Sequence, residues 1–243
     1  MGYGISPFMY GLDPLYLVIA AVAALISLFA QGMVKSAFAK YSRVGNSRNL
    51  TGAEAAKLML ESEGVYDVQI RRYDGGWLSD HFNPATKVIN LSPEVYDQRS
   101  VAAVGIACHE AGHALQHAQG YAPLKLRSLL VPTVGIGSNL GIILIVIGAA
   151  FGMMGLAKIG LILFSAVFVF QLVTLPVELN ASARSKHALI SHGIVASGME
   201  TKGVSAVLNA AAFTYVAAMI ASLMTLLYYA FRLGLLGGNR SRD

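Results

Sequence analysis

Four long runs of apolar residues limit most strongly how this chain can fold. Leu15 to Val34 is a stretch of twenty residues without a charge, and a helix of that length spans about 30 Å, the thickness of the hydrocarbon core of a bilayer. Comparable runs cover 130–156, 159–175 and 210–231. With 55% apolar and 13% charged residues, the chain is unlike a soluble domain. The sequence therefore predicts a mainly α-helical integral membrane protein with about four transmembrane helices.

The polar sequence between these runs divides the chain into five predicted segments. They are an N-terminus with the first transmembrane helix (1–34), a polar module (35–129), a transmembrane hairpin turning at Ala157 and Lys158 (130–175), a helix and loop (176–209), and a fourth transmembrane helix with a tail (210–243). No Lys or Arg precedes the first run, and the run is too long for the core of a signal peptide, so we expect it to be retained as an anchor.

The basic residues predict which side of the membrane the polar module faces. Eleven Lys and Arg residues lie from Lys35 to Arg127, whereas the first 14 residues contain none. Because cytoplasmic loops are enriched in basic residues, we expect this module and the segment 176–209 in the cytoplasm. The single cysteine, Cys108, fits a reducing compartment. Three basic residues contradict this orientation, because four spans place them outside: Arg232, Arg240 and Arg242.

The polar module has the pattern of a small α+β fold. Thr51-Gly-Ala-Glu54 is a capping box that predicts a helix to about Ser62. The stretches 68–73 and 86–91 are typical of short strands, so we expect a sheet of two or three strands. The mostly apolar stretch 101–118 then predicts a further helix, and this helix carries the residues with recognisable chemistry.

His109-Glu110-Ala111-Gly112-His113 is an H-E-x-x-H motif. Side chains four residues apart share one helix face, so both imidazoles can bind one zinc ion while Glu110 points beside the metal. A pattern with three fixed positions also recurs by chance. Here it lies in an otherwise apolar helix, where unpaired polar groups are costly to bury. We therefore interpret the motif as the site of a zinc hydrolase with Zn²⁺ as its cofactor.

A catalytic zinc needs a third protein ligand. His117 lies eight residues after His109, about 12 Å along a helix, which is too far for both to reach one ion. Glu178 is favoured because a helix of small residues after Pro176 can pack closely against the His helix, although it is also explained as an acid at a helix N-terminus. The remaining acids and the reserve histidines are Glu200, Asp243, His187 and His192.

Several stretches along the chain carry a resemblance to a known family: Asp13-Pro14, Lys35-Ser36, 50–54, Asp80-His81, 109–114, 120–124 and 175–178. In these the chain resembles bacterial membrane zinc metallopeptidases of the YugP type, which are distantly similar to the HtpX and CAAX prenyl protease gluzincins. The resemblance implies a zincin-like metalloprotease module, a bacterial cell membrane, and Glu178 as the third ligand. HtpX has Glu-x-x-Ala-Asp here, whereas Ser182 stands at the Asp position of this chain. Asn180 or Ser182 is then the candidate to orient a zinc-bound histidine.

The predicted function is hydrolysis of peptide bonds, with membrane or membrane-adjacent proteins as substrates in quality control. His109, His113 and Glu178 hold Zn²⁺, and Glu110 takes a proton from the attacking water and returns it to the leaving amine. We expect the strand at 86–91 to offer its edge to an extended substrate. Candidates to stabilise the oxyanion remain open: His81, Tyr96, Arg184 and His187.

Two other functions fit the sequence less well. A site-2-type intramembrane protease needs an Asp ligand within a later span, and no Asp lies between Asp97 and Asp243. A non-catalytic membrane scaffold has no use for a general base such as Glu110. The scattered basic residues predict no nucleic-acid partner, and the oligomeric state is left open.

Overall fold

The computed structural model describes residues 13–76 and 79–236. Its helices are α1 (Pro14–Tyr41), α2 (Gly52–Ser62), α3 (Pro93–Tyr96), α4 (Val101–Ala118), α5 (Ala122–Ala150), α6 (Met154–Ser191) and α7 (Met199–Arg232). Its strands are β1 (Gln69–Arg72), β2 (His81–Asn83) and β3 (Val88–Leu91). The parts of the predicted first and last segments at 1–12 and 237–243, with Arg240 and Arg242, lie outside the described residues.

Long apolar helices dominate the structure, as the sequence predicts. Within the described residues, α1, α6 and α7 are long and apolar enough to cross a membrane. Helix α5 adds a fourth span if its two halves, 122–135 and 137–150, which meet at an angle of 40°, are counted together. The chain is thus a mostly helical membrane protein with three or four candidate spans and a small three-stranded sheet.

The helix boundaries differ from the prediction at two places. Helix α5 ends at Ala150 and α6 begins at Met154, so the turn precedes the expected Ala157 and Lys158. Gly152 has φ +70°, which glycine adopts without steric cost and which stops the helix there. Further on, α6 continues through Pro176 to Ser191 instead of starting a new helix; a proline removes one helix hydrogen bond, and the residues beside this one, Thr174, Val177 and Glu178, are buried.

Contacts divide the described chain into two units. The helical unit comprises 13–29, 126–174 and 215–236, and the mixed unit comprises 30–125 and 175–214. In the helical unit, small residues bring α5 and α6 together: a Cβ added at Gly148 would lie 2.4 Å from the Ala157 nitrogen. At the ends of α1 and α7, the Asp13 carboxylate accepts a hydrogen bond from the Tyr228 hydroxyl at 2.8 Å and pairs with Arg232 at 3.2 Å.

The mixed unit contains the sheet and α4. The predicted capping box is present: the Thr51 hydroxyl accepts from the Glu54 N–H, and the Glu54 carboxylate accepts from the Thr51 N–H. Helices α2 and α4 and strand β3 bury a common core that includes Met59, Ile89 and Val104. This core fixes α4 against the sheet.

The strand order is β1-β3-β2, with β1 parallel and β2 antiparallel to β3. The expectation that the strand at 86–91 offers a free edge is therefore wrong. Residues 81–83, between the two predicted strands, form a third strand that pairs Asn83 with Val88. Because β3 is paired on both sides, the open edges belong to β1 and β2.

Candidate metal centre

Helix α4 carries both histidines of the motif on one face. The His109 and His113 rings are 4.8 Å apart and nearly perpendicular, as expected for side chains one turn apart. Fourteen of the eighteen helix residues are buried, and Ser100 caps the first turn by accepting from the Ala103 N–H. The two imidazoles therefore project from a helix that the core holds in place.

Glu178 of α6 lies directly opposite these rings. Its Oε2 is 3.1 Å from His109 Nε2 and 3.4 Å from His113 Nε2. Gly112 allows this approach, because a Cβ there would lie 2.6 Å from the Ala181 carbonyl oxygen on α6. Burial alone lowers the pKa of His113, but the hydrogen bond and charge of Glu178 raise it overall. The Glu178 side chain is only 3% exposed.

This donor set fits a zinc ion. Two ligands at about 2.0–2.1 Å from a tetrahedral zinc lie about 3.3 Å apart, close to the two nitrogen–oxygen separations found here. When both Nε2 atoms are unprotonated, the two imidazoles and the carboxylate direct three lone pairs at one point, which is the set of donors that a zinc ion takes. Within residues 13–76 and 79–236, the group of three or more His, Cys, Asp or Glu side chains close enough to share a metal ion consists of these three.

Glu110, between the histidines in sequence, is positioned by the sheet. It is 8% exposed, and its Oε2 accepts a hydrogen bond from the Phe82 backbone N–H at 2.9 Å. Phe82 is the middle residue of edge strand β2, so this N–H belongs to the side of the strand away from β3. No pattern in the sequence indicated this contact, because strand β2 was not predicted.

Asp80 fastens the chain just before β2. Its carboxylate accepts from the Ser92 N–H at 2.7 Å and from the Ser92 hydroxyl at 3.1 Å. Burial raises the pKa of Asp80, and the hydrogen bonds from Ser92 act in the opposite direction, while the charge of Glu110 raises it further. This pairing holds the start of β2, and with it Phe82, beside Glu110.

Two side chains contact the Nδ1 atoms of the histidines, the ring nitrogens that do not face Glu178. The Ser182 hydroxyl lies 3.2 Å from His109 Nδ1, at the position where the resemblance predicted a stand-in for Asp. His113 Nδ1 instead lies 3.0 Å from Gln116 Oε1, a partner that was not predicted from the sequence. A polar residue three positions after His113 in an apolar helix was the available signal. Asn180, the other predicted stand-in, contacts Gln116.

The other candidate ligands lie elsewhere. The His117 ring packs against Phe82, with centroids 5.8 Å apart, and His192 Nε2 is 2.7 Å from a Glu63 oxygen. Glu200, within the segment 176–209 that was predicted as a helix and loop, is in the first turn of α7 and accepts from the N–H groups of Ser47 and Ala196. The helix dipole stabilises an acidic side chain in the first turn of a helix, which explains why Glu200 is accommodated at the start of α7.

The four candidates for oxyanion stabilisation are also placed. The His81 ring contacts the Ser79 carbonyl and Asn90, and Tyr96 lines a cavity beside α2 and β1. Arg184 and His187 line a second cavity beside α4. A role for any of them at the oxyanion stays a prediction.

Comparison with known proteins agrees with this chemistry. A family model described as "Putative neutral zinc metallopeptidase" matches residues 16–234. The chain is 45% identical over 215 residues to "Putative membrane protease YugP" of Bacillus subtilis (strain 168), covering 88% of this chain and 94% of that protein. No solved structure matches the chain. The chain belongs to the neutral zinc metallopeptidase family.

Proposed function

We propose that the protein is a membrane-embedded zinc endopeptidase of the gluzincin type, with His109, His113 and Glu178 as the metal ligands and Glu110 as the catalytic base. The observation that carries this proposal is the convergence of both imidazole Nε2 atoms on one Glu178 oxygen, at 3.1 and 3.4 Å. Family membership supports zinc as the ion. The name of the Bacillus relative supports proteolysis at a membrane.

Zinc bound at this site supplies a Lewis acid that polarises the scissile carbonyl and makes water acidic enough to attack. Glu110 takes the proton of the attacking water and delivers it to the leaving amine. The Phe82 N–H, at 2.9 Å, restricts the carboxylate to one orientation while leaving its other oxygen for the proton. His109, His113 and Glu178 would hold the ion.

The outer edge of β2 is the proposed substrate track. Phe82 borders Glu110 on the edge of the sheet away from β3, so an extended segment adding to that edge passes the catalytic base. Because the Phe82 N–H is already bonded to Glu110, the main chain of the peptide would bond the Phe82 carbonyl and the backbone beside it, as in β-augmentation. The substrate edge is thus β2, in place of the strand at 86–91.

Two contacts favour a chain that crosses the membrane four times, with α5 as a full span, over one that crosses three times. The ends of α1 and α7 meet through Asp13, Tyr228 and Arg232, so an even number of crossings separates them. Glu178, on α6, meets α4, which precedes α5. A crossing by α5 and a return by α6 bring both ligand-bearing segments to one membrane face.

We propose that this face is cytoplasmic, on the strength of the basic residues of 35–127. Ser62 and Ser191 are exposed residues of the mixed unit, and Cys108 is fully buried. Cysteines placed singly at these two sites, in a Cys108→Ala background, are expected to resist an impermeant thiol reagent in intact cells and to react after permeabilisation. Labelling of both in intact cells would place the site outside. Labelling of one alone would contradict the shared face.

We propose membrane and membrane-adjacent proteins as substrates, in a quality-control role, because Glu178 lies on a helix that is itself a candidate span. A site-2-type protease remains the alternative enzyme, but the carboxylate facing the histidines is a Glu rather than an Asp. A non-catalytic scaffold is disfavoured by the buried, hydrogen-bonded Glu110.

The decisive test is proteolysis by Glu110→Gln. Purified in detergent, this variant is expected to retain zinc and fold, because Glu110 is not in the ligand group, yet to lose hydrolysis of casein and of membrane proteins. Loss of a general base lowers the rate by about 10²–10⁴-fold. Glu94→Gln, an acid outside the site, is the control and is expected to cleave normally. Cleavage by Glu110→Gln within tenfold of wild type would overturn the mechanism.

A further inference from the structure

Gln116 is a fully buried amide in the apolar helix α4, with no exposed surface. All its polar atoms are engaged: Oε1 lies 3.0 Å from His113 Nδ1, and Nε2 lies 2.8 Å from the Val177 carbonyl oxygen and 3.0 Å from Asn180 Oδ1. A buried amide left unpaired is destabilising. This residue therefore has a specific reason to be polar.

The direction of these hydrogen bonds follows from Arg184. Its Nε donates to Asn180 Oδ1 at 2.7 Å, and a guanidinium can only donate. The Asn180 atom at that junction is therefore the oxygen, and the Gln116 atom facing it is the NH₂ group. The Val177 carbonyl, also purely an acceptor, requires the same orientation independently.

With the NH₂ group so engaged, Gln116 presents its carbonyl oxygen to His113. His113 Nδ1 must then carry a hydrogen, which in the neutral imidazole leaves the Nε2 lone pair directed at the Glu178 side of the site. That is the tautomer a zinc ligand needs. The Ser182 hydroxyl behind His109 can donate or accept, so it imposes no tautomer on His109.

The same amide also joins the two ligand-bearing helices. Gln116 and His113 are on α4, whereas Val177 and Asn180 flank Glu178 on α6. A hydrogen bond to the residue directly before Glu178 fixes the distance of that backbone from His113. A side chain with one acceptor and two donors is required, which glutamine has and glutamate lacks.

We propose that Gln116 is a positioning residue of the metal centre, which sets the His113 tautomer and holds Glu178 against it. This inference rests on the proposed metal site. It is tested by replacing Gln116 with methionine, which has the same length and no hydrogen-bonding amide. The readouts are the zinc dissociation constant in detergent and the visible spectrum of the Co²⁺-substituted protein, which reports ligand geometry.

The matched control is Asn46→Leu, which removes another buried amide of the mixed unit. Asn46 donates to the Leu50 and Arg99 carbonyls and contacts none of the ligands in its described hydrogen bonds. Gln116→Met is expected to weaken zinc binding by about 10–100-fold and to change the Co²⁺ spectrum. Asn46→Leu is expected to lower thermal stability while zinc affinity and spectrum stay as in wild type.

Asn180→Ala keeps the test decisive if Gln116→Met fails to fold. It removes one of the two acceptors that orient Gln116, so zinc binding is expected to weaken several-fold with the same spectral change. Wild-type zinc affinity in each folded variant would overturn the inference and leave the proposed function standing. Weaker zinc binding in Gln116→Met together with active Glu110→Gln would support the inference and overturn the mechanism. A wild-type protein without zinc affinity would overturn both.

Discussion

Gly112 lies in the middle of the motif, where α4 passes closest to α6. In Gly112→Ala, the added Cβ would be 2.6 Å from the Ala181 carbonyl oxygen and 3.2 Å from its carbonyl carbon. Ordinary contact begins at 3.4 Å, so α4 and α6 must separate by about 0.8 Å to accept the methyl group. The obstructing atoms are backbone, which cannot rotate away as a side chain can. Ala181 lies one turn after Glu178, so the proposed third ligand moves with it.

The size of the effect follows from two opposing terms. Overpacking costs about 1–3 kcal/mol, and replacing a helical glycine with alanine regains about 1 kcal/mol. The metal-free protein is therefore expected to lose at most about 2 kcal/mol in its free energy of unfolding. Zinc requires metal–ligand distances within about 0.2 Å of their usual values. Zinc binding must therefore bring α4 and α6 back together against the steric repulsion of the added methyl group. That lowers zinc affinity by roughly 5- to 150-fold.

The assay compares zinc dissociation constants, from competition with a chelator, with thermal unfolding of the metal-free proteins. Gly105→Ala is the control on the same helix, because its added Cβ would meet Val204 at 3.6 Å, an ordinary contact. It is expected to leave zinc affinity unchanged and stability equal or higher. If Gly112→Ala binds zinc as tightly as Gly105→Ala does, the close approach of the helices does not control the metal centre.

Three further changes have distinct expected outcomes. Phe82→Pro removes the N–H that holds Glu110, so it is expected to lower kcat below that of Phe82→Ala, which keeps the N–H; equal kcat values would contradict this. Thr51→Ala removes a helix cap and is expected to cost about 1 kcal/mol of unfolding free energy with no change in zinc binding, measured by denaturant unfolding. Ser182→Ala is expected to weaken zinc binding through His109 by less than Gln116→Met does, measured by the same chelator competition.

Local rules were sufficient for the parts of the mixed unit that depend on neighbours in sequence. The capping box at Thr51 predicted the start of α2, and the apolar run from Val101 predicted α4 with both histidines on one face. The shared face of the two histidines followed from their spacing of four residues alone. The sequence also favoured Glu178, because few acids remain after Glu110, and the structure brings that residue to the histidines.

Contacts between distant residues could not be predicted in this way. Strand β2 has three residues and exists because Asn83, Phe82 and His81 pair with β3, which no periodicity reveals in so short a stretch. The bond from Phe82 to Glu110 depends on that strand. At Pro176 the local rule indicated a boundary, but α6 runs through this proline without a break.

The zinc content of three purified proteins tests the central claim most directly. Wild type is expected to hold about one zinc per chain by elemental analysis, because three protein ligands and an open position make a catalytic site. Glu178→Ala is expected to lose the ion, since this residue supplies the oxygen facing both imidazoles. His117→Ala is expected to keep it, because His117 packs against Phe82 and lies outside the ligand group. Full zinc in Glu178→Ala, with none in His117→Ala, would contradict the ligand set proposed for this protein.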